Sequence, residues 1–301
     1  MPEKNMLELL SPEILAKIEN YHLAARIIVE GFIAGMHRSV YHGFGSEFLQ
    51  YRNYSTGDDL KYVDWKVFGR LDRFYSKVFQ EETNFNCTLV IDSSASMNYQ
   101  GTSSKFSKFR YAAMLASSIA YLASKQGDNV GLFAYSDIIK NCVPPGNRFG
   151  HLHRVITEIS KIKPLGKACH ASNLNYISGA LGKRGLIVLI SDFLESVEDI
   201  QASMKNLRIS RNDCIVIQIL DKDELYFRFM GSINFIDSET NEHILTAPEN
   251  IRKEYIDRLN SHIECLKKAC FNAQCDFISV DTSKNPGYIL AEYLHRRGNV
   301  Y

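Results

Sequence analysis

From Phe85 onward the chain alternates short apolar runs with longer stretches whose apolar residues recur at helical spacing. The runs predict strands over 86–91, 129–134, 186–190, 214–220 and 276–280, with a short edge strand at 140–143. Between them the spacing predicts helices over 106–125, 150–161, 173–182, 197–209 and 251–273, and a closing helix over 288–296. Leu186-Ile187-Val188-Leu189-Ile190 and Ile215-Val216-Ile217 are nearly unbroken apolar stretches, the pattern of strands covered by helices on both faces. This order of elements predicts an α/β fold built on an open, mostly parallel, doubly wound sheet. A polar-topped hairpin is expected from 227–236 and 243–245, with Asn241 in its turn.

Upstream the pattern changes. Ser11-Pro12-Glu13 supplies a cap oxygen, a fixed φ at the first helical position and an acid at the positive end of a helix. Ile14, Leu15, Ile18, Leu23, Ile27, Ile28 and Phe32 continue at mostly helical spacing toward Gly35. Residues 43–82 follow no long period and are rich in glycine, aromatics and paired charges, which predicts short strands and turns wrapped on a body. The expected organisation is an N-terminal helix and wrapping segment over 1–84, then an α/β domain with a C-terminal helical extension over 85–301.

Composition narrows the partners. Among 301 residues, 35 Lys and Arg meet 34 Asp and Glu, for a net charge of +1. That balance offers no strong electrostatic case for nucleic acid or an anionic membrane. The apolar-rich segment 111–123 is too short to span a bilayer, and the first residues do not resemble a signal peptide. Seven cysteines, at 87, 142, 169, 214, 265, 270 and 275, form no CxxC pair and suggest neither a disulfide framework nor a zinc knuckle. A reduced, cytoplasmic protein with no transmembrane segment is expected.

The candidate chemistry lies in Asp92-Ser93-Ser94-Ala95-Ser96, directly after the apolar Leu89-Val90-Ile91. One carboxylate and two hydroxyls on a loop at a strand end offer hard oxygen donors suited to Mg²⁺, with Mn²⁺ or Ca²⁺ as alternatives. Asp192 follows the strand 186–190 and is expected on the same carboxyl-end rim, where such sheets bind ligands. Ser172, just before a predicted helix, adds a hydroxyl. The expected metal set is therefore Asp92, Ser94, Ser96, Ser172 and Asp192, with a coordination position left for an acidic residue of a client protein. The bland alternative is that these residues only cap turns and helices.

Enzymatic readings meet obstacles. An aspartyl-phosphate phosphatase would want a second acid two positions after Asp92, where Ser94 stands. No GxSxG elbow and no phosphate-cradling Gly-rich loop occur. His151 and His153 belong to no metal-ligand frame, and His170 is expected as a loop residue.

A longer pattern surrounds these residues. Glu47-Phe48, Tyr51-Arg52-Asn53-Tyr54 and Gly57-Asp58-Asp59-Leu60-Lys61-Tyr62-Val63-Asp64-Trp65 are followed by Arg70, Asp72-Arg73, Lys77 and Glu81-Glu82. Together with Asp92–Met97, Phe149-Gly150-His151-Leu152, Ser191-Asp192-Phe193 and Leu220-Asp221, they resemble the bacterial DUF58 family. The resemblance implies a von Willebrand factor A-like (vWA) domain with a metal-dependent adhesion motif (MIDAS) at Asp92, Ser94 and Ser96, and a later acid at Asp192. Ser172 matches a position usually filled by threonine, while Ala171 and His170 stand where glycines are typical. The family also implies a partner, a MoxR-type AAA+ ATPase, and so a metal-dependent adaptor in the assembly or maturation of a client. Two alternatives stay open: a Mg²⁺-dependent phosphohydrolase using Asp92, and a vWA scaffold with a vestigial metal site. Arg52, Tyr54, Asp58, Asp59, Asp64 and Trp65 are read either as a clasp seating their segment or as a docking face.

Overall fold

A computed structural model describes residues 12–35, 48–53, 65–71, 74–79, 85–181, 185–209, 212–287 and 289–290. Its helices and strands begin with α1 (Pro12–Leu15), α2 (Tyr21–Gly35), β1 (Phe48–Asn53), α3 (Trp65–Leu71) and β2 (Tyr75–Phe79). Next come β3 (Asn86–Asp92), α4 (Lys108–Lys125), β4 (Asn129–Tyr135), β5 (Ile139–Gly146), α5 (His151–Lys161) and α6 (His170–Ala180). They are followed by β6 (Gly185–Ser191), α7 (Val197–Ile209), β7 (Asp213–Leu220) and α8 (Lys222–Tyr226). The described elements end with β8 (Ile233–Ile236), β9 (His243–Thr246), α9 (Pro248–Asn272) and β10 (Asp276–Asp281). The expected closing helix falls largely on residues outside this set.

The chain divides into two compact units, one of residues 1–36 with 85–301 and one of 37–84. The larger is a six-stranded sheet in the order β10-β7-β6-β3-β4-β5. All neighbours are parallel except β5, which runs antiparallel to β4. The order in which strands are added reverses between β3 and β6, which is the doubly wound order expected from the alternating elements and fits the vWA-like fold that the family resemblance implies.

Strand alternation feeds two apolar layers. Leu89, Ile91, Val188 and Ile190 pack with α2 and α4 on one face. Val90, Ile187 and Leu189 pack on the other face with Leu174, Met204 and Leu266 from α6, α7 and α9. Helix α4 starts at the Ser107 cap, whose side chain accepts from the Arg110 amide, and it is buried along most of its length.

The helical pattern near the N-terminus is broken. Residues 16–20 leave the helix, and the Asn20 carboxamide accepts from the His22 amide at 2.9 Å to start α2 afresh. Arg110 holds this break against α4 by donating to the carbonyls of Ala16 at 2.6 Å and Ile18 at 3.2 Å.

In the smaller unit β1 pairs antiparallel with β2, with Arg52 opposite Ser76, and Phe68 of α3 stacks on Phe74 with ring centres 4.3 Å apart. Trp65 is the first residue of α3. Tyr54, Asp58, Asp59 and Asp64 lie outside the described residues.

Candidate functional site

Three acids follow the carboxyl ends of adjacent parallel strands: Asp92 ends β3, Asp192 follows β6, and Asp221 follows β7. Asp92 and Asp192 therefore flank the point where the strand order reverses. Both are buried, at 0% and 2% exposure.

Each carboxylate oxygen of Asp92 accepts one donor from its own chain. Its Oδ1 accepts from the Ser94 amide at 2.8 Å, and its Oδ2 accepts from the Ser191 hydroxyl at 2.6 Å. Burial raises its carboxyl above the usual range, against the pull of His170. The hydroxyls of Ser94 and Ser96 lie 3.0 Å apart.

Asp192 has a different partner. The Lys108 ammonium donates to its Oδ2 at 2.8 Å and to Glu224 Oε1 at 2.6 Å, with only 1% of the lysine side chain exposed. Burial alone would drive the ammonium toward its neutral form, but the two carboxylates overcome it and raise its pKa. Burial likewise works against the charge on Asp192, and Lys108 holds its carboxyl below the usual range. Glu224 is brought to the lysine by its place at the start of α8. There Asp221 accepts from the Asp223 amide, and Glu224 accepts from the Asp221 amide at 2.7 Å.

Behind Asp92 lies a chain of polar groups whose linkage the sequence did not show. His170 Nε2 is 2.9 Å from Ser191 Oγ, and its Nδ1 is 3.0 Å from Glu195 Oε2 at an angle outside hydrogen-bond geometry. Burial disfavours the charged imidazole, yet Glu195 and Asp92 raise its pKa. The serine, imidazole and carboxylate follow the order of a hydrolytic triad. Nucleophilic use is nonetheless closed off: Ser191 and His170 are both 0% exposed. The Ser191 hydroxyl gives its proton to Asp92 and accepts from the Phe193 amide at 3.0 Å.

Ser172 is exposed in α6, and its hydroxyl donates to the Cys169 carbonyl at 3.3 Å. The structure therefore gathers Asp92, Ser94, Ser96 and Asp192 at one rim, while the Ser172 hydroxyl turns back on its own helix. A buried ammonium already neutralises the later acid, and both oxygens of the first acid accept protein donors. Among the described residues no group of three or more His, Cys, Asp or Glu side chains is arranged to hold a metal ion, and no intact MIDAS cluster is found.

With this geometry in place, residues 50–264 match the family described as "Protein of unknown function DUF58". The chain belongs to the DUF58 family. It is 27% identical over 235 residues to the uncharacterized protein Rv1480 of Mycobacterium tuberculosis, covering 76% of this chain and 72% of that protein. Among solved structures it is similar to the conserved hypothetical protein BatB from Bacteroides thetaiotaomicron, with a TM-score of 0.46 and 14% identity over 71% of this chain and 99% of that one. It is also similar to the SpRpn10 VWA domain, with a TM-score of 0.41 and 13% identity over 70% and 95% of the two chains.

In this DUF58 chain the sequence reading missed Lys108, Glu224 and Glu195, and it noted His170 and Ser191 without this role. One signal was present. Lys108 precedes Ala112, Leu115 and Ile119 by four, seven and eleven positions, so the helical period puts it on the buried stripe. His170 opens α6 instead of lying in a loop. No helix among the described residues is long and apolar enough to cross a membrane.

Proposed function

We propose that this protein is a non-enzymatic vWA-type interaction module whose central site carries its own cation. The observation that carries this reading is the Lys108 ammonium between Asp192 and Glu224. It supplies within the fold the positive charge that a divalent ion would otherwise bring. The enclosed Ser191, His170 and Asp92 support the absence of turnover, because a substrate reaches none of them. On the segments beside the site Leu165 and Ile138 are 69% and 64% exposed, and Lys140, Lys163 and Lys167 are exposed with them. Apolar side chains flanked by cations suit a protein surface better than a small substrate.

The partner we propose, on the strength of the family resemblance, is a MoxR-type AAA+ ATPase acting with a client protein. Immobilised protein should retain that ATPase equally in Mg²⁺ and in EDTA. Retention that appears with Mg²⁺ and vanishes with EDTA would contradict the internal-cation reading.

A further inference from the structure

Three of the cysteines share one apolar layer near the amino ends of two neighbouring strands. Cys214 lies in β7, Cys270 in the last turn of α9, and Cys275 directly before β10. All three are buried on the same face of the sheet, in the layer that holds Met204, Val216 and Leu266.

Strand register decides which two can be joined. β10 runs parallel to β7, and their pairing begins with Asp276 opposite Ile215. One position earlier on each chain segment, Cys275 stands opposite Cys214. Side chains alternate between faces along a strand. Cys214 and Val216 face one layer while Ile215 and Ile217 face the other, and Cys275 and Phe277 alternate with Ile278 in the same way. The two thiols are therefore register neighbours on one face. Neighbouring strands lie about 4.8 Å apart, inside the roughly 4.4–6.8 Å between Cα atoms that a disulfide spans. Cys270 is placed differently. Its Sγ lies 3.8 Å from the Met204 thioether, which has no thiol to join.

We propose that Cys214 and Cys275 are a reversible oxidation site, joined as an intramolecular disulfide by exchange with a low-molecular-weight disulfide. The Cys275 thiolate attacks one sulfur of the oxidant and releases its first thiolate. The Cys214 thiolate then attacks the Cys275 sulfur of the mixed disulfide and releases the second. The two protein S–H protons pass to the released thiolates, so the oxidant is reduced to two thiols as one protein S–S bond forms.

The surroundings suit this order of attack. Arg208 of α7 donates to the Asn212 carbonyl at 2.8 Å and pairs with Asp213, just ahead of Cys214. A hydrogen bond from Cys214 holds the Cys275 thiol below its usual range against burial, with Arg208 adding its charge. The same bond and burial push Cys214 up. Both thiols are enclosed, but β10 is the edge strand of the sheet, where local opening costs least. A bond between ladder-paired strands also sits at the short end of disulfide spacing, so it is strained and readily reduced, as regulatory disulfides are. At the far end of the same strand pair Thr282 donates to Asp221 Oδ2 at 3.0 Å. Oxidation thus pins β10 to β7 at both ends.

The test incubates the full-length protein with oxidised glutathione in the absence of denaturant. Remaining thiols are then alkylated and the linkages mapped by mass spectrometry of non-reduced peptides. A Cys214–Cys275 linked peptide is expected as the main intramolecular product in wild type, and dithiothreitol should restore both thiols. Cys270→Ser should form the same link, while Cys214→Ser should stop at the mixed disulfide on Cys275. No linked peptide, a link through Cys270, or a link that forms only in urea would overturn the proposal and leave the three thiols as small buried packing groups. The site is separate from the Lys108 cluster, so this test can fail while the internal-cation reading stands.

Discussion

The Lys108 ammonium lies 2.8 Å from the Asp192 carboxylate, with 1% and 3% of the two side chains exposed. Helix α4 delivers the lysine from one layer of the fold, and the end of β6 delivers the acid from the sheet. Charges sealed from water are costly to bury and are tolerated because they meet each other and Glu224. Removing one member leaves the others uncompensated.

Lys108→Met is accordingly expected to lower unfolding stability by about 3–5 kcal/mol, the range for breaking a buried pair from one side. Urea unfolding of Lys108→Met, Asp192→Asn and the double variant measures the coupling. The double variant should lose clearly less than the two single losses added together. Additive losses, or a single loss under about 1 kcal/mol, would show that the pair is not a unit.

Ser191→Ala removes the hydroxyl that donates to Asp92 Oδ2 at 2.6 Å. The cost should be about 1–3 kcal/mol, because a buried carboxylate oxygen loses its donor. Any hydrolase activity arising from the Ser191–His170–Glu195 order would disappear in the same variant. The enclosure of Ser191 predicts instead that wild type and variant are equally inactive on ester and phosphoester substrates.

Much of this fold was legible in the amino-acid order. The unbroken apolar run ending at Ile190 announced a strand covered on both faces, and Asp92 and Asp192 were placed at strand ends by the runs before them. Local pattern did not carry the partners of these acids. The Lys108 contacts join residues 84 and 116 positions apart, so they follow from how helix and sheet stack. The same limit applies to Ser172. Its hydroxyl was available in sequence, but its direction is decided by the carbonyl of Cys169, the residue that caps the start of α6. The break at 16–20 escaped the helical spacing because Asn20 caps a new helix in mid-pattern.

Gly101 is a position where close approach requires glycine. A Cβ there would lie 2.2 Å from Asp221 Oδ1 and 2.7 Å from Asp223 Oδ2, and the Gly101 amide itself donates to Asp221 Oδ2 at 3.2 Å. Gly101→Ala should therefore destabilise by about 1–3 kcal/mol, as overpacking does. The urea midpoint measures it, and an unchanged midpoint would mean that the loop is free to move away from α8.

Arg110→Ala should loosen the N-terminal helices selectively. It removes the donors to the Ala16 and Ile18 carbonyls, at a cost of about 1–3 kcal/mol. Hydrogen exchange is the measurement. Amides of α2 are expected to exchange faster while those of β3 and β6 remain protected. Uniform change across the whole domain would contradict a local role.

The central claim is that the site carries its own cation, and calorimetric titration of Mg²⁺ into EDTA-stripped protein tests it most directly. Wild type is expected to give no saturable heat at millimolar Mg²⁺. Stoichiometric binding to wild type that is lost in Asp92→Ala would contradict the account and restore a metal as the site's working charge.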